Sequence, residues 1–555
     1  MTQQLTINVA THLAAMAKSE PSRLAVHMPA KDGSYTTLTF AELDTISGRL
    51  ARGLDQVGIC RGLRTVLMVT PSIDFFTLTF ALFKVGAVPV LIDPGMGIRN
   101  LGKCLEEAKP EGFIGIPKAH LARRILRWAR PTLRVTVTTG SRMLGGKWTL
   151  KRLRRTGEEK GPLPVADTRA DETAAILFTS GSTGIAKGVV YTHGIFAAQV
   201  EYLKSIYGIE PGEVDLSTFP LFALFGPALG MTAVIPEMDP TRPAEVDPTK
   251  IIAAIQRFSV TNLFGSPALI NRVGRYGAER GIKLPTLKRA ISAGAPVPSV
   301  VIERFTKMLS PGIQVFTPYG ATESLPVASI GSDEILNETR VLTDIGSGVC
   351  VGKPVSGMEV RIIPISDEPI AKFDDKMMLK AHKTGEIVVS GPVVTSEYFG
   401  RPQATELAKM RDSSGRLWHR MGDVGYLDDH GRLWFCGRKS HRVEAKFGTM
   451  YTIQCEAVFN KHPDVFRTAL VGVPGTKAIR AILCVERELG NARNWKEIEA
   501  ELRAIQDRFQ HTAAIEVFLE HPKFPVDIRH NAKIFREKLA VWAAKQLLRK
   551  NTHLR

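Results

Sequence analysis

The sequence is poor in the features that mark a cysteine-based site. Its 555 residues include only six cysteines, and no two of them are spaced as a CxxC pair. This absence excludes the usual zinc and dithiol motifs and provides no disulfide framework. We expect buried free thiols in a reducing cytosol at Cys60, Cys104, Cys350, Cys436, Cys455 and Cys484.

The sequence also lacks an uninterrupted apolar run of the length that crosses a membrane. Its longest apolar stretch extends from Phe75 to Ile92 and is broken by Lys84, Gly86 and Pro89. Such a stretch is more typical of a buried helix followed by a strand. The N-terminus has no charged region before an apolar run, so we expect no signal peptide and a cytoplasmic location.

Acidic residues are missing from one long segment. Between Gly112 and Gly157 there are twelve Lys or Arg residues and no Asp or Glu, in a chain of net charge +18. Within this segment Ile125, Trp128 and Ala129 have helical spacing among arginines. This spacing predicts a basic amphipathic helix over residues 122–130.

The charge of residues 118–155 is open to more than one interpretation. A solvated face that keeps the protein in solution explains it, and so does contact with a partner protein or with the inner face of a membrane. Nucleic-acid binding is not expected, because no nucleic-acid module with interleaved aromatic residues accompanies the charge.

Length and pattern predict more than one α/β domain. The chain is too long for one ordinary core. A strand pattern at residues 64–69, a helix pattern at 74–85 and a second strand pattern at 87–92 predict a parallel sheet. The polar segment 437–441 lies between strand patterns and predicts a domain boundary.

A glycine- and hydroxyl-rich loop follows the strand pattern at residues 175–178. Glycines allow the backbone to approach an anion closely, and successive N–H groups bind phosphate oxygens. Lys187 adds a positive charge at the end of this loop. The remaining candidate phosphate-binding residues are Thr179, Ser180, Gly181, Ser182, Thr183 and Gly184.

The same loop does not fit the Walker type of phosphate loop. That motif requires Ser or Thr directly after its lysine and Gly directly before it. Here Ala186 precedes Lys187 and Gly188 follows it. The loop instead resembles the signature of the adenylate-forming superfamily, which includes acyl-CoA synthetases, nonribosomal-peptide adenylation domains and beetle luciferases.

Further segments resemble the motifs of this superfamily, in the family's order and along almost the whole chain. The resemblance implies that Tyr319 stacks on adenine, that Thr322 binds the α-phosphate and that Glu323 holds Mg²⁺, a cation that prefers carboxylate oxygen. Other positions that match the adenine-binding motifs are Gly294, Ala295, Pro296 and Gly320.

Three later residues match the remaining motifs. Asp423 in Gly-Asp-Val-Gly corresponds to the residue that accepts both ribose hydroxyls. Arg438 corresponds to the arginine that contacts ribose or phosphate. Lys533 corresponds to the C-terminal catalytic lysine, which bridges carboxylate and phosphate oxygens during adenylation. ATP and Mg²⁺ are the implied cofactors.

The resemblance also implies the architecture. The fold class is α/β, with a large N-terminal adenylate-forming domain of sandwiched parallel and mixed sheets over residues 1–437. A hinge at 438–441 follows, and a small C-terminal α+β lid domain over 442–555 carries the catalytic lysine. In this family the lid rotates about the hinge between the two half-reactions.

The sequence departs from the thioester-forming members of the family. Ala223 stands where a histidine commonly helps to gate the acceptor tunnel, and Ser440 stands where the hinge usually has Asp or Lys. Residues 443–448 depart from the lysine and glycine pattern that contributes to coenzyme A binding. The last motif, which ends at Lys533, lacks the usual glycine before that lysine.

Residues 219–230 and 524–533 resemble one branch, the β-lactone synthetases of bacterial long-chain olefin biosynthesis. This resemblance implies a long-chain 2-alkyl-3-hydroxy fatty acid, whose own hydroxyl attacks the acyl adenylate and closes a β-lactone. Partner enzymes of the same hydrocarbon pathway are then expected. His193 is a candidate base near the nucleotide or a structural residue after the phosphate loop.

Two other functions stay open at this point. A long-chain fatty acyl-CoA synthetase shares every adenylation motif. A non-catalytic scaffold that binds acyl groups or nucleotides is a more distant alternative, and the presence of Lys187, Glu323, Asp423, Arg438 and Lys533 argues against it.

Overall fold

Strands and helices alternate along most of the chain in its structure, a computed structural model. The structure describes residues 7–30, 32–141, 145–178, 186–219, 225–446, 448–475, 478–488, 490, 493–526 and 533–552. Within these residues the strands form sheets of nine, seven, six and five strands, here named sheets A, B, C and D.

Sheets A and B are mainly parallel. Only their outer hairpins pair antiparallel. In spatial order, sheet A consists of Lys353–Pro354, Ser324–Gly331, Val315–Ala321, Arg289–Ser292, Asn262–Gly265, Val214–Ser217, Thr232–Val234, Leu24–Pro29 and Tyr35–Thr39. Sheet B consists of Trp148–Thr149, Val135–Thr138, Gly112–Gly115, Arg64–Met68, Val88–Leu91, Thr173–Phe178 and Gly188–Thr192.

Sheet C is antiparallel, whereas sheet D is mixed. Sheet C consists of Val349–Cys350, Leu433–Arg438, Leu417–Leu427, Gly385–Ser390 and Glu359–Ile363, with Lys409–Arg411 beside Leu417–Leu427. Sheet D consists of Gly448–Met450, Val443–Ala445, Ile479–Arg487 and Val465–Pro474, with Ile515–Glu520 beside Ile479–Arg487.

Helices cover the faces of these sheets. In the described part of the chain the helices of eight or more residues are Ala10–Ser19, Phe40–Gln56, Ile73–Val85, Ile98–Ala108, Pro117–Ile125, Leu150–Lys160, His193–Tyr207, Pro248–Arg257, Pro267–Glu279, Ser299–Thr306, Thr452–Phe459, Trp495–Gln506 and Arg536–Thr552. Shorter helical segments are Phe225–Ala228, Ser332–Glu334, Ile335–Thr339, Arg340–Asp344 and Pro402–Ala408.

The predicted strand, helix, strand unit of sheet B is confirmed. Ser72 caps the helix Ile73–Val85 by accepting a hydrogen bond from the Phe75 N–H, and Gly86 ends it at a φ of 72°. A left-handed residue after a helix is a common termination for which glycine has no steric cost. The strands Arg64–Met68 and Val88–Leu91 on either side then pair in parallel.

The largest apolar cluster joins sheets A and B to the helices between them. It contains Val26 of sheet A, Ile114 of sheet B and the buried faces of Phe40–Gln56 and Ile73–Val85. The sandwiched parallel and mixed sheets of the predicted fold class are therefore present.

Sheet D forms a separate C-terminal unit with a core on each face. Leu470 and Leu483 face one apolar cluster, whereas Val471 and Ile482 face another that includes Leu539 of the last helix. Because successive side chains of a strand point to opposite faces, a sheet covered on both faces needs near-continuous apolar runs. Sheet C ends at Arg438 and sheet D begins at Val443, with the 3₁₀ turn Lys439–His441 between them.

The predicted basic helix over residues 122–130 is wrong. The helix Pro117–Ile125 ends at Ile125, and Arg127 and Ala129 take left-handed backbone conformations with φ of 55° and 48°. The chain turns there because Trp128 enters the core and is only 9% exposed. Ile125, predicted to share a face with Trp128, is instead 70% exposed.

All six cysteines are free thiols. Five of them are buried, as the sequence predicts, whereas Cys60 is exposed. Among the residues that the structure describes, no helix has the length and apolar character needed to cross a membrane.

Candidate active site

The carboxyl ends of the parallel strands of sheet A bring two of the sequence motifs together. The strand Arg289–Ser292 pairs in parallel with Val315–Ala321, through Ala290 with Val315 and Ile291 with Phe316. The turn at 293–298 and the hairpin turn at 320–324 therefore lie at the same edge. Open α/β sheets bind their ligands at this edge.

Glycine is required at two positions in these turns. Gly294 has a φ of 101°, a conformation that residues with a side chain rarely adopt. A Cβ atom at Gly320 would lie 2.6 Å from the backbone oxygen of Ser324 across the hairpin. The hairpin that carries Thr322 and Glu323 therefore cannot accept a side chain at position 320 without moving.

Glu323 is held by a loop that the sequence motifs did not include. The Tyr398 hydroxyl donates to Glu323 Oε1 at 2.7 Å. The N–H and the hydroxyl of Thr395 donate to the Glu323 carbonyl at 2.9 and 3.0 Å. Burial and the Glu323 charge raise the pKa of the Tyr398 hydroxyl, which therefore remains a hydrogen-bond donor.

Tyr398 also contacts Lys187. The Lys187 Nζ lies 4.6 Å from the centre of the Tyr398 ring. Tyr398 also forms an antiparallel β-bridge with Val189, in the strand Gly188–Thr192 that follows Lys187. Burial lowers the pKa of Lys187, while Glu323 opposes this effect. The structure thus brings Lys187 and Glu323 to one tyrosine. The loop residues 179–184 predicted to bind phosphate lie outside the described residues.

Asp423 and Arg438 are direct partners on neighbouring strands of sheet C. Arg438 Nη1 lies 3.0 Å from Asp423 Oδ1, and the Tyr319 hydroxyl donates to Asp423 Oδ2 at 2.7 Å. Burial raises the pKa of Asp423, whereas Arg438 and Tyr319 favour its charged form.

Asp423 also retains capacity to bind a further donor. Its buried Oδ1 accepts no well-aligned hydrogen bond within the described residues, although Arg438 is close to it. Buried carboxylate oxygens normally have partners. Such an oxygen fits the ribose hydroxyl that the motif predicts, and Arg438 would remain beside it.

Glu323 has the chemistry of a magnesium ligand. Its Oε1 accepts from Tyr398, and its Oε2 accepts no hydrogen bond from the residues described here. Mg²⁺ is usually held by one or two carboxylates together with the phosphates of the nucleotide, so a single available carboxylate oxygen fits. In a second group of potential ligands, Asp464 and Glu501 already pair with the guanidinium of Arg493, and His462 contacts Glu501.

Lys409 is a buried cation behind Glu323. Its Nζ donates to the carbonyl of Thr395 and, at 3.3 Å, to the Thr395 hydroxyl. Thr395 in turn donates to the Glu323 carbonyl, so Lys409 supports the hairpin that carries Glu323 through Thr395. Burial lowers the pKa of Lys409 to about 7, and the Glu323 charge opposes that shift.

His193 lies at the far end of the strand that begins beside Lys187. Gly188 pairs with Phe178 at the loop end of the hairpin, whereas Thr192 pairs with Thr173 at the other end. At about 3.3 Å per residue, these ends are about 13 Å apart. His193 is buried at a helix start and burial lowers its pKa to about 4, which favours the structural role that the sequence left open.

Lys533 lies in the C-terminal unit, just before the bridge that Ile534 forms with Val526. Residues 527–532, which contain most of its predicted motif, lie outside the described residues. Ala223, whose position the acceptor-tunnel argument used, also lies outside them. The catalytic role of Lys533 stays a prediction.

The sequence profile of the AMP-binding enzymes matches residues 13–399. The chain belongs to this family. The predicted membership of the adenylate-forming superfamily is confirmed, and the protein is an adenylate-forming ligase or synthetase. Members of this family use ATP.

Two relatives are similar over nearly the whole chain. The olefin β-lactone synthetases of Xanthomonas campestris and Stenotrophomonas maltophilia are each 52% identical to it over 97% of this chain and 98% of their own length. The similarity to this branch of the family, expected from residues 219–230 and 524–533, is therefore confirmed.

Solved structures support the fold. The ATP-bound structure of MatB from Rhodopseudomonas palustris superposes with a TM-score of 0.79 at 20% identity, and covers 97% of this chain and 99% of that one. At that identity the likeness shows the adenylate-forming fold of this family and does not bear on the substrate.

Sequence reasoning missed Tyr398, Thr395 and Lys409. Tyr398 and Glu323 are 75 residues apart, and no local pattern relates the two. The sequence does not single out Lys409, because a lysine between a helix and a strand resembles many exposed lysines. Their roles arise from contacts of the folded chain: Tyr398 and Thr395 bond Glu323, and Lys409 bonds Thr395.

Proposed function

We propose that this enzyme adenylates a long-chain 2-alkyl-3-hydroxy fatty acid with ATP and closes it to a β-lactone, releasing AMP and pyrophosphate. The observation that carries the proposal is the 52% identity, over 97% of the chain, with two olefin β-lactone synthetases. The arrangement of Lys187, Glu323, Asp423 and Arg438 at one edge of the sheets supports it.

The first step is substitution at phosphorus. A carboxylate oxygen of the acid forms a bond to the α-phosphorus of ATP, the bond to the bridging oxygen breaks, and pyrophosphate leaves. Negative charge grows on the phosphate oxygens, so preorganised positive groups lower the barrier. Lys187 and the N–H and hydroxyl groups of residues 179–184 are the proposed donors, with Thr322 on the α-phosphate.

Nucleotide binding is proposed for the two partner strands of sheet C and for the sheet A turn. Asp423 accepts the ribose hydroxyls, and Arg438 contacts ribose or phosphate. Tyr319 and the turn that contains Gly294, Ala295 and Pro296 contact adenine. Mg²⁺ held by Glu323 would neutralise phosphate charge when it is bound.

The second step needs no external acceptor. The 3-hydroxyl oxygen attacks the acyl carbon, AMP leaves with one carboxylate oxygen, and the hydroxyl proton is released. Four-membered ring closure is strained, but a tethered nucleophile has a high effective concentration, which offsets part of that cost. The departure of residues 443–448 from the coenzyme A pattern agrees with a reaction that uses no thiol.

The C-terminal unit is proposed to act as a lid. Its range is residues 442–555, it follows a hinge at 438–441, and it carries Lys533 to the carboxylate and α-phosphate during adenylation. Among the described residues, the pairs of Lys461 with Asp344 and of Arg275 with Glu488 join the two units and are largely exposed, whereas Arg442, directly after the hinge, forms a less exposed pair with Asp367. Exposed pairs contribute about 0–1 kcal/mol each, so a rotation that breaks the first two costs little.

Enzymes of the same hydrocarbon pathway are the proposed partners. A cytoplasmic location, with peripheral contact at the inner face of the membrane, is proposed for this enzyme.

Product analysis tests the proposal. The protein is incubated with ATP, Mg²⁺ and a 2-alkyl-3-hydroxy acid, with and without coenzyme A, and the products are identified by mass spectrometry. A β-lactone and AMP without coenzyme A are expected. A strict requirement for coenzyme A, with a thioester as product, would establish the acyl-CoA synthetase alternative instead.

A matched pair of variants locates the step that needs Lys533. Lys533→Ala should slow pyrophosphate release by about 100-fold or more, because one charge-stabilising group is lost. The same change at Lys545, an exposed lysine of the last helix, should have no effect. Equal rates in both variants would remove Lys533 from the proposed mechanism.

A further inference from the structure

An exposed apolar tip lies at the end of the helix Pro117–Ile125. Leu121 and Ile125 are one helical turn apart and 45% and 70% exposed, and Leu126 directly after them is 44% exposed. Residues four apart on a helix are neighbours on one face. Single exposed apolar residues are ordinary, whereas adjoining ones mark a contact surface.

Cations without acidic partners surround this tip. Lys118, Arg124, Arg127 and Arg130 are exposed, and none of them forms an ion pair within the described part of the chain. Residues 112–157 contain no Asp or Glu that could neutralise them. The whole surface, Leu121, Ile125 and Leu126 with these four cations, is called the basic tip below.

A neighbouring helix shows that the charge of the basic tip is unusual. In Leu150–Lys160, which is also rich in Lys and Arg, Arg155 pairs with Glu159 and Arg154 pairs with Asp74. That helix is partly neutralised within the protein. The basic tip instead presents its charge to whatever lies outside.

The tip is also fixed in place by the core. Trp128 is buried against Leu101 and Cys104 of the helix Ile98–Ala108, and its indole lies within 3.4 Å of the position that a Cβ at Gly102 would take. The left-handed residues Arg127 and Ala129 on either side turn the chain back. Leu121, Ile125 and Leu126 therefore remain exposed on the surface of the protein.

We propose that the basic tip docks on an anionic lipid surface. Leu121, Ile125 and Leu126 enter the boundary between headgroups and acyl chains, and the surrounding Lys and Arg side chains bind lipid phosphates. A lipid surface fits better than an acidic protein, because interface cores in proteins favour aromatic side chains and the one tryptophan here is buried. The docking does not depend on the reaction proposed above.

Vesicle binding tests this proposal with the full-length protein. Flotation is measured with vesicles of phosphatidylcholine and with equimolar phosphatidylcholine and phosphatidylglycerol, at low and high salt. Binding is expected only to the anionic vesicles and should weaken with salt. The triple variant Lys118→Glu, Arg124→Glu, Arg130→Glu should lose about 100-fold or more in partition coefficient, from roughly fivefold per basic residue at the surface.

Matched controls separate the basic tip from the net charge. The triple variant Lys18→Glu, Lys380→Glu, Lys496→Glu changes the net charge equally at exposed sites elsewhere and should retain binding. The double variant Leu121→Gln, Ile125→Gln should weaken binding, whereas Val541→Gln, Leu548→Gln on the last helix should not.

The outcomes that overturn the proposal are explicit. Absence of binding of the wild-type protein to anionic vesicles would do so, and so would equal losses in the two charge variants. Retention of binding in the Leu121→Gln, Ile125→Gln variant would show that these aliphatic side chains do not insert into the lipid. Pyrophosphate release with a short, soluble acid should be the same in all variants, which shows that each remains folded.

Discussion

Tyr398 contacts two residues of opposite charge in the candidate site, Glu323 and Lys187. Its hydroxyl donates to Glu323 Oε1, and its ring lies against the Lys187 ammonium. A cation over an aromatic face and a charged hydrogen bond each restrict the side chains involved. We therefore propose Tyr398 as a positioning residue, which would act on the nucleotide through Glu323 and Lys187.

Removal of the Tyr398 hydroxyl should impair adenylation without unfolding the protein. Tyr398→Phe loses a hydrogen bond to a charged group, worth about 1.5–3 kcal/mol, and should lower pyrophosphate release by about 10- to 100-fold. It should also raise the Mg²⁺ concentration needed for half-maximal rate, as Glu323→Gln should more strongly.

A second tyrosine provides the control. The Tyr202 hydroxyl is buried and has no hydrogen-bond partner among the described residues, so Tyr202→Phe should leave both quantities unchanged. An unaltered Mg²⁺ dependence in Tyr398→Phe would show that the hydroxyl does not position Glu323.

The burial of Lys409 predicts a pH dependence of stability. The folded protein releases this proton near pH 7, whereas the unfolded chain holds it up to the ordinary lysine pKa of 10.5. Between these values the unfolded state binds more protons, so the free energy of unfolding rises with pH and is lost as pH falls toward 7.

Lys409→Met should flatten this dependence. The wild-type slope between pH 7 and pH 9 should exceed that of the variant by up to about 1.4 kcal/mol per pH unit, measured by urea unfolding. Lys151→Met, at an exposed position, serves as the control and should keep the wild-type slope. Parallel curves for wild type and Lys409→Met would show that Lys409 is charged throughout this range.

The residues that could be predicted belong to local motifs. Lys187, Glu323, Asp423 and Arg438 lie in short segments that resemble motifs of the adenylate-forming superfamily, and the structure brings them to one region. Tyr398 could not be predicted in the same way, because its role arises from a contact that only the folded chain creates.

At the scale of elements, the helix Pro117–Ile125 shows where periodicity misleads. The apolar spacing continues through Trp128, yet the backbone turns left-handed at Arg127 and Ala129. Burial of the large Trp128 side chain stabilises the core more than continuation of an exposed helix would. The strand, helix, strand unit at 64–91 was predictable because its apolar pattern and its terminal Gly86 agree.

A pair of alanine variants tests whether Trp128 lies in the core and Ile125 on the surface. Trp128→Ala should lower the free energy of unfolding by about 3–5 kcal/mol, because it leaves a cavity in the core. Ile125→Ala should change it by about 0.5 kcal/mol or less, since that side chain is exposed. Urea unfolding of both variants gives the comparison, and similar losses would contradict the position of the helix end.

At the scale of the whole molecule, two units meet at a short connection. Sheet C ends at Arg438, whose partner Asp423 belongs to the candidate ribose site, and sheet D begins five residues later. The length of the chain, the polar segment at 437–441 and the strand patterns beyond it predict a division into an α/β body and a smaller C-terminal unit. The ion pairs between the units were not predictable, because such pairs leave no sequence pattern.

The central claim is that the carboxylate is activated and the hydroxyl attacks. Both carboxylate oxygens of a 2-alkyl-3-hydroxy acid are labelled with the heavy isotope of oxygen, and AMP and lactone are analysed by mass spectrometry after turnover without coenzyme A. We predict one labelled oxygen in AMP and one in the lactone, as its carbonyl. A lactone that keeps both labelled oxygens, with unlabelled AMP, would show that the hydroxyl was activated instead and would contradict the account.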